Sequence, residues 1–312
     1  MKPLRIAIIG FGKIARDQHV PAIAANPRFE LAATVTRTGG GHPGVPCFTG
    51  HRELLAAGLD LDAVSVTTPP APRYTIARDC IAAGLHPMLE KPPGVTLGEV
   101  QELARLADNG GTSLFTTWHA QHNPAVEAAA EALAGERLTD LSIVWREDVR
   151  KWHPGQQWIW EPGGFGVFDP GINAFSIATR IAPATLLLRS AELFFPQNRQ
   201  APIAAELRLE AAGLAADCRV QLDWRHSGNE QWTIETRTES GRHVLLSDGG
   251  SRVAIDGAAV AAAGVGEYPS LYARFLDLID ERVSHVDLEP LRLAAEAFLL
   301  GRRTIVEPFI DE

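Results

Sequence analysis

The chain has 312 residues, 46% of them hydrophobic and 21% charged, and 29 Lys and Arg against 38 Asp and Glu leave a formal net charge of −9. That length points to about two domains with cores large enough to need no staples, and the apolar share is too high for a disordered chain. The acidic balance, with no Lys/Arg stripe, excludes a nucleic-acid partner held through its phosphates. Cys47, Cys80 and Cys218 form no C-x-x-C pair, which rules out a disulfide scaffold or cysteine zinc site and fits a reducing, cytoplasmic setting. The opening apolar run is too short for a secretion signal, and no run approaches ~18 apolar residues, so no membrane partner is expected.

Leu4 to Ile9 is a run of buried-strand type, apolar but for Arg5. A helix is predicted over Lys13 to Ala25, a strand over Phe29 to Val35, a glycine-rich loop over 39–44 and a short helix over Arg52 to Ala57. A strand at Ala63 to Thr67 is stopped by Pro69-Pro70, followed by a helix at Arg73 to Ala83 and a strand at Leu85 to Glu90. Thr96 with Glu99 three residues later reads as a capping box opening another helix. A fifth strand runs over Ser113 to Thr117. Strands alternating with helices this regularly predict a doubly wound parallel α/β sheet over residues 1–122.

The texture changes near Asn123. A helix through Ala134 and a strand at Leu141 to Trp145 precede a Trp-, Gly- and Pro-rich stretch of nearly thirty residues, read as a functional loop. Strand patterns follow at Leu186 to Phe195, Ala204 to Leu209, Arg219 to Trp224, Trp232 to Thr238 and Val244 to Ser247, joined by short turns that predict an antiparallel meander. Helical patterns at Leu271 to Arg282 and Leu291 to Arg302 close the chain. The expected second domain, 123–287, is an α+β unit on an open, mostly antiparallel sheet.

Gly10-Phe11-Gly12-Lys13-Ile14-Ala15 is a G-x-G-x-x-A string between a strand and a helix. The first Gly permits the tight turn, the second lets backbone approach a pyrophosphate, and Ala15 permits close helix–strand packing; this is the dinucleotide pattern of the Rossmann fold. An NAD-specific site carries an acid at the end of the second strand, but here Thr36-Arg37-Thr38 follows Val35. A planar cation flanked by hydroxyls suits a 2′-phosphate. NADP is therefore favoured, with NAD tolerated.

With those features, Thr67-Thr68-Pro69-Pro70, Glu90-Lys91-Pro92 and the segment Gly163 to Asn173 resemble the Gfo/Idh/MocA family of sugar and polyol dehydrogenases over essentially the whole chain. Residues 12–19, 90–93 and 152–158 look most like its branch acting at C1 of L-arabinose, D-galactose and D-fucose. The resemblance implies an N-terminal Rossmann domain and a C-terminal sheet domain. It also implies a last helix, about 288–304, packed back on the first domain, and a homo-oligomer, a dimer, formed through the open sheet. Thr68, Pro69, Pro70, Glu90 and Lys91 then join Gly10, Gly12, Lys13, Ile14, Ala15, Thr36, Arg37 and Thr38 at the cofactor. Two departures stand out: Asn173 replaces the His that often ends the second motif, and Tyr74 replaces a common His.

Oxidising a sugar at C1 requires removing the hydroxyl proton, delivering the hydride and holding the ring in register. Lys91, at a strand's carboxyl end, can hydrogen-bond the C1 oxygen or act as base if burial strips its proton. Asp169, in a glycine-rich turn beside apolar residues, is the preferred base. Asn173, four residues on, can orient the same hydroxyl but cannot take a proton. Indole faces stack on sugar C–H faces, so Trp152 and Trp232, with Glu147, His153 and His119, are the expected substrate contacts. His119 and His122 are spaced i, i+3, but no third ligand lies in reach and no metal is expected. The rival readings are a non-catalytic NADP-binding sensor of the same fold and a dehydrogenase for another sugar or polyol.

Overall fold

A computed structural model of the chain describes residues 2–212 and 217–310. Met1, which opens the first expected domain, lies outside them. The chain divides into two compact units, one of residues 1–119 and 266–288, the other of 120–265 and 289–312.

The first unit holds β1 (Leu4–Ile9), β2 (Phe29–Val35), β3 (Cys47–Phe48), β4 (Ala63–Val66), β5 (His86–Leu89) and β6 (Phe115–Thr116). They form one sheet in the order β3-β2-β1-β4-β5-β6, with every pairing parallel. Strand order reverses between β2 and β4 on either side of β1, the position where such sheets open a ligand crevice at their carboxyl ends. Alternation along β1 fills two cores, Ile6 and Ile8 on one face and Ala7 and Ile9 on the other. Both faces are therefore covered, as parallel sheets require. The predicted capping box is present: Thr96 accepts from the Glu99 amide at 3.2 Å while the Glu99 carboxylate accepts from the Thr96 amide at 3.3 Å.

One expectation needs correction here. The helix in the core of this unit is Glu267–Glu281, which buries Tyr268, Leu271, Tyr272, Phe275 and Leu278 against Ile6, Ile8, Phe29 and Phe115. The last helix, Glu289–Leu300, instead packs on the strand Leu186–Pro196 and on the helix Phe168–Ile181 of the second unit. Both helices carry an apolar stripe of similar kind. The large aromatic residues of the earlier one match the space beside β1, whereas the later one presents Leu291, Leu293, Ala294 and Ala297.

The second unit holds β7 (Leu138–Arg146), β8 (Leu186–Pro196), β9 (Ala204–Ala211), β10 (Asp217–Asp223), β11 (Gln231–Thr238), β12 (His243–Ser247), β13 (Arg252–Ile255), β14 (Ala258–Val260) and β15 (Arg302–Val306). They form one sheet in the order β14-β13-β12-β11-β7-β10-β9-β8-β15. It is mostly antiparallel but not a plain meander, because β7–β10 in its middle and β8–β15 at its edge run parallel. One face is covered by the helices Pro124–Leu133, Phe168–Ile181 and Glu289–Leu300. The other carries crossed charge pairs, among them Arg189 with Glu210 at 2.5 Å and Arg208 with Asp217 at 2.9 Å. The stretch after β7 is not one open loop: it winds through Val149–Trp152 and Gln157–Trp160 before the helix Phe168–Ile181.

Candidate active site

In the first unit, the turn after β1 is fixed on both sides. Gly10 and Phe11 amides each donate to Val35 O at 2.9 Å, and Thr67 Oγ1 donates to Gly10 O at 2.7 Å. Gly10 has φ +103°, and a Cβ there would lie 2.6 Å from the Thr68 amide nitrogen. Ala15 is fully buried against the sheet. A Cβ on Gly12, by contrast, would have Gly10 O at 3.8 Å as its nearest neighbour. That is a cradle left open at a helix start, where free amides and the helix dipole favour an anion. Thr68 Oγ1 is buried without a partner among the described residues. A dinucleotide's pyrophosphate fits both features. Lys13 pairs with Asp17, and Ile14 is exposed.

At the end of β2, Thr36 and Thr38 hydroxyls meet at 3.3 Å and Arg37 is exposed. Glu30 lies at the start of that strand, so no acid stands where a ribose 2′-hydroxyl would be held. Arg16, absent from the motif reading, lies over the Phe11 ring at 5.1 Å and donates to Gly40 O at 3.2 Å. It is a second guanidinium beside the same loop.

Pro70 is buried, and Arg73 clamps the following loops, donating to the carbonyls of Thr68, Glu90 and Pro92. The Lys91–Pro92 peptide is cis. Glu90 also lies beside this clamp. Its carboxylate turns into the core, accepting from Tyr268 Oη at 2.7 Å, His19 Nε2 at 3.1 Å and the Lys91 amide at 2.9 Å. Burial alone favours the neutral acid, but the His19 hydrogen bond and charge, with His119 and Tyr268, hold Glu90 well below the usual carboxylate range.

His119 stacks on Tyr268 at 5.6 Å and its Nδ1 meets Glu267 Oε2 at 2.9 Å. Burial disfavours the charged ring and Lys91 opposes it, yet Glu267 and Glu90 leave the pKa raised above 6.5. A raised histidine contributes stability that is complete below its unfolded value and fades as pH rises through the folded one. The melting difference between wild type and Glu267→Gln is therefore expected to be largest near pH ~6 and to shrink towards pH ~9. A constant difference across that range, read by calorimetry, would show that the ion pair contributes nothing.

In the second unit, the helix Phe168–Ile181 puts Asp169 in its first turn and Asn173 one turn on, so both side chains share a face. Asp169 is thus a helix residue rather than a turn residue. It is 3% exposed and meets His153 Nε2 at 3.4 Å. Asn173 Oδ1 is buried with no partner among the described residues. Pro170 costs nothing so early in a helix, where its amide would be unpaired anyway. Gly171 lets the helix approach β10, since a Cβ there would lie 2.6 Å from Leu222 Cδ1.

Glu147 directly follows β7 and is buried. Its Oε1 accepts from Trp224 Nε1 at 3.1 Å and its Oε2 from Trp232 Nε1 at 2.9 Å. This carboxylate therefore orients two indoles. Around it, Trp232 stacks on Trp145 and lies 5.5 Å from the half-exposed Trp152, while Trp224 lies 5.2 Å from His153 and 5.4 Å from Trp160. Trp224 had gone unmarked in the sequence, because only the parallel pairing of β10 with β7 brings it to Glu147.

Residues 4–117 match the family profile described as an oxidoreductase family with an NAD-binding Rossmann fold. Galactose 1-dehydrogenase of Pseudomonas fluorescens is 44% identical over 311 residues, covering 100% of each chain. The chain belongs to the Gfo/Idh/MocA oxidoreductase family. Among solved structures of this kind, D-galactose-1-dehydrogenase from Rhizobium etli superposes with TM-score 0.94 at 47% identity, over 99% of both chains. The 3-ketoreductase KijD10 of Actinomadura kijaniata, solved with NADP and TDP-benzene, superposes with TM-score 0.83 over 98% of this chain and 100% of its own. At 19% identity it shares the fold alone. No helix among the described residues is long and apolar enough to cross a membrane.

Proposed function

We propose that this oxidoreductase is an NADP-preferring aldose 1-dehydrogenase, converting D-galactose, L-arabinose or D-fucose to the aldonolactone. The reading rests on the helix that carries Asp169 and Asn173 on one face, beside His153 and next to an indole wall built on Glu147. Full-length relatives that bear the name galactose 1-dehydrogenase support it. When bound, the nicotinamide supplies the acceptor for the C1 hydride. The chain supplies the rest. In the second unit, Asp169 is the acceptor for the C1 hydroxyl proton; in the first, Lys91 is the ammonium that steadies negative charge developing on a substrate oxygen. Asn173 Oδ1, an acceptor with nothing to accept from among the described residues, receives a sugar hydroxyl. Within the second unit, Trp152 and Trp232 stack on the ring while His153 and Glu147 bracket its hydroxyls, and His119 is a further candidate contact on the first unit.

Galactose and arabinopyranose differ by a hydroxymethyl group, a difference that pockets discriminate only modestly. Purified protein with NADP and a panel of aldoses, followed by absorbance of the reduced cofactor, tests the reading. Turnover on galactose, arabinose and fucose is expected. NADP binding with no turnover on any pentose or hexose would leave a sensor on the same fold, and equal rates on myo-inositol would move the substrate class.

Arg37 is proposed to hold the 2′-phosphate, with Thr36 and Thr38 beside it, and NAD to be tolerated. Hydrogen bonds to a charged partner are worth about 1.5–3 kcal/mol, so Arg37→Asp should cut the NADP-over-NAD ratio of kcat/KM about 10- to 100-fold. An unchanged ratio refutes the assignment. We further propose that the enzyme works in the cytoplasm and pairs as a dimer through the charged face of its second sheet. Buried Cys80 and Cys218, whose thiols burial pushes up to about 12 and about 11, suit a reducing setting without requiring it. Sedimentation at two salt concentrations tests the dimer, since a face held by ion pairs weakens as salt screens it.

A further inference from the structure

We propose that His19 and Tyr268 are positioning residues for Lys91, acting through the buried Glu90 carboxylate. The inference deepens the proposed function, resting on Lys91 as the amine that meets the substrate oxygen.

Four elements of the first unit converge on Glu90. His19 ends the wide π-helical turn Ala15–His19, Ser65 lies on β4, Glu90 follows β5, and Tyr268 and Tyr272 sit one turn apart on the helix Glu267–Glu281. All five are buried, amid Ile6, Ile8, Phe29, Met88 and Phe115. Ser65 Oγ meets Tyr272 Oη at 2.9 Å, Tyr272 Oη meets His19 Nδ1 at 2.9 Å, and His19 Nε2 reaches Glu90. The ionised carboxylate only accepts, so Nε2 of His19 and Oη of Tyr268 are the donors. Apolar residues of similar volume often fill such a core at no loss of stability. The polar chain is therefore not what the core itself requires.

What the chain does fix is the peptide that follows. Glu90 Oε1 is pinned by Tyr268 and His19, which leaves Oε2 aimed at the Lys91 amide. On the other side, the Glu90 and Pro92 carbonyls are held by Arg73. Lys91 is thus gripped through the amide before it and the carbonyls flanking it. Releasing the carboxylate lets the base of the lysine side chain drift, and catalytic rates fall steeply with misplacement of about 1 Å.

The test uses the full chain as Tyr268→Phe, His19→Leu and His19→Gln. Gln places an amide N–H near the ring Nε2 and can still donate to Glu90. Tyr268→Phe and His19→Leu are expected to lower kcat about tenfold or more, with KM for NADP and sugar within about twofold of wild type. His19→Gln should recover most of that loss. An unchanged kcat in Tyr268→Phe, or a His19→Gln as impaired as His19→Leu, overturns the proposal. A second readout needs no turnover. Lys91 is one of four lysines, with Lys2, Lys13 and Lys151 as internal references. Its acetylation by acetic anhydride, followed by mass spectrometry, should quicken severalfold in His19→Leu while the references hold steady. A rate that does not move also overturns the proposal. If the wild type oxidises no aldose, the proposed function fails and the labelling alone decides this one.

Discussion

Replacing Asp169 with Ala or Asn is expected to lower turnover about 10²- to 10⁴-fold, the usual share of a positioned acid–base group, while NADP binds as before. The Asn variant is the sharper of the two. It keeps the volume of a side chain that is 3% exposed and 3.4 Å from His153 Nε2, so a lost rate reports the lost proton acceptor and not a cavity. The helix should survive either change, since an acid in a first turn contributes only about 0.3–1 kcal/mol through the helix dipole. Steady-state rates at saturating NADP, with cofactor affinity measured separately by calorimetry, check both halves. If Asp169→Asn keeps its rate, the proton leaves by Lys91 or by a water. If NADP affinity falls along with rate, Asp169 belongs to the architecture of the site and not to its chemistry.

Gly10→Ala and Gly12→Ala should part company, although both lie in one short motif. At Gly10 the positive φ alone costs a residue with a Cβ about 1–3 kcal/mol. The new Cβ would also collide with backbone, at 2.6 Å from Thr68 N and 2.9 Å from Thr67 C. That backbone has little room to yield, because Thr67 N and Oγ1 both bond back to the β1 turn. Gly10→Ala should therefore melt several degrees lower and lose cofactor. Gly12→Ala introduces a methyl that meets no protein atom closer than 3.8 Å, so its melting temperature without NADP should match wild type. Only the upward shift that NADP confers by binding the folded state should disappear. Equal melting losses for the two variants would mean that the second glycine serves the fold.

The first unit was largely legible because its signals are local and strong. Mostly apolar runs at Leu4–Ile9 and Phe29–Val35, broken only by Arg5, Glu30 and Thr34, mark β1 and β2 as their bounds were read, and the capping box fixed a helix start. β3 escaped notice because two residues carry no period, and β13 to β15 because they are short or largely exposed. Gly and Pro between 162 and 171 read as loop, yet Pro170 sits where a helix tolerates it and Gly171 serves close packing.

At the candidate site, residue types were readable but partnerships were not. Glu90 and Glu147 are acids near strand ends, and nothing in their spacing says that one turns inward to His19 and Tyr268 while the other is wedged between two indoles. Those relations depend on which strands and helices become neighbours, which periodicity leaves open. The same ignorance misplaced the last helix, whose apolar stripe was visible while its partner was not.

The indole wall also makes the second unit an optical instrument. Five of the chain's seven tryptophans, Trp145, Trp152, Trp160, Trp224 and Trp232, crowd around Glu147 with neighbouring rings 5.4–5.8 Å apart. Excitation absorbed by one of them can pass to its neighbours, and two of them, Trp224 and Trp232, donate to Glu147. A ring settling on Trp152 or Trp232 would change the surroundings of that linked group and so its emission. The protein's own fluorescence can thus report occupancy of this wall with no cofactor present and no chemistry under way.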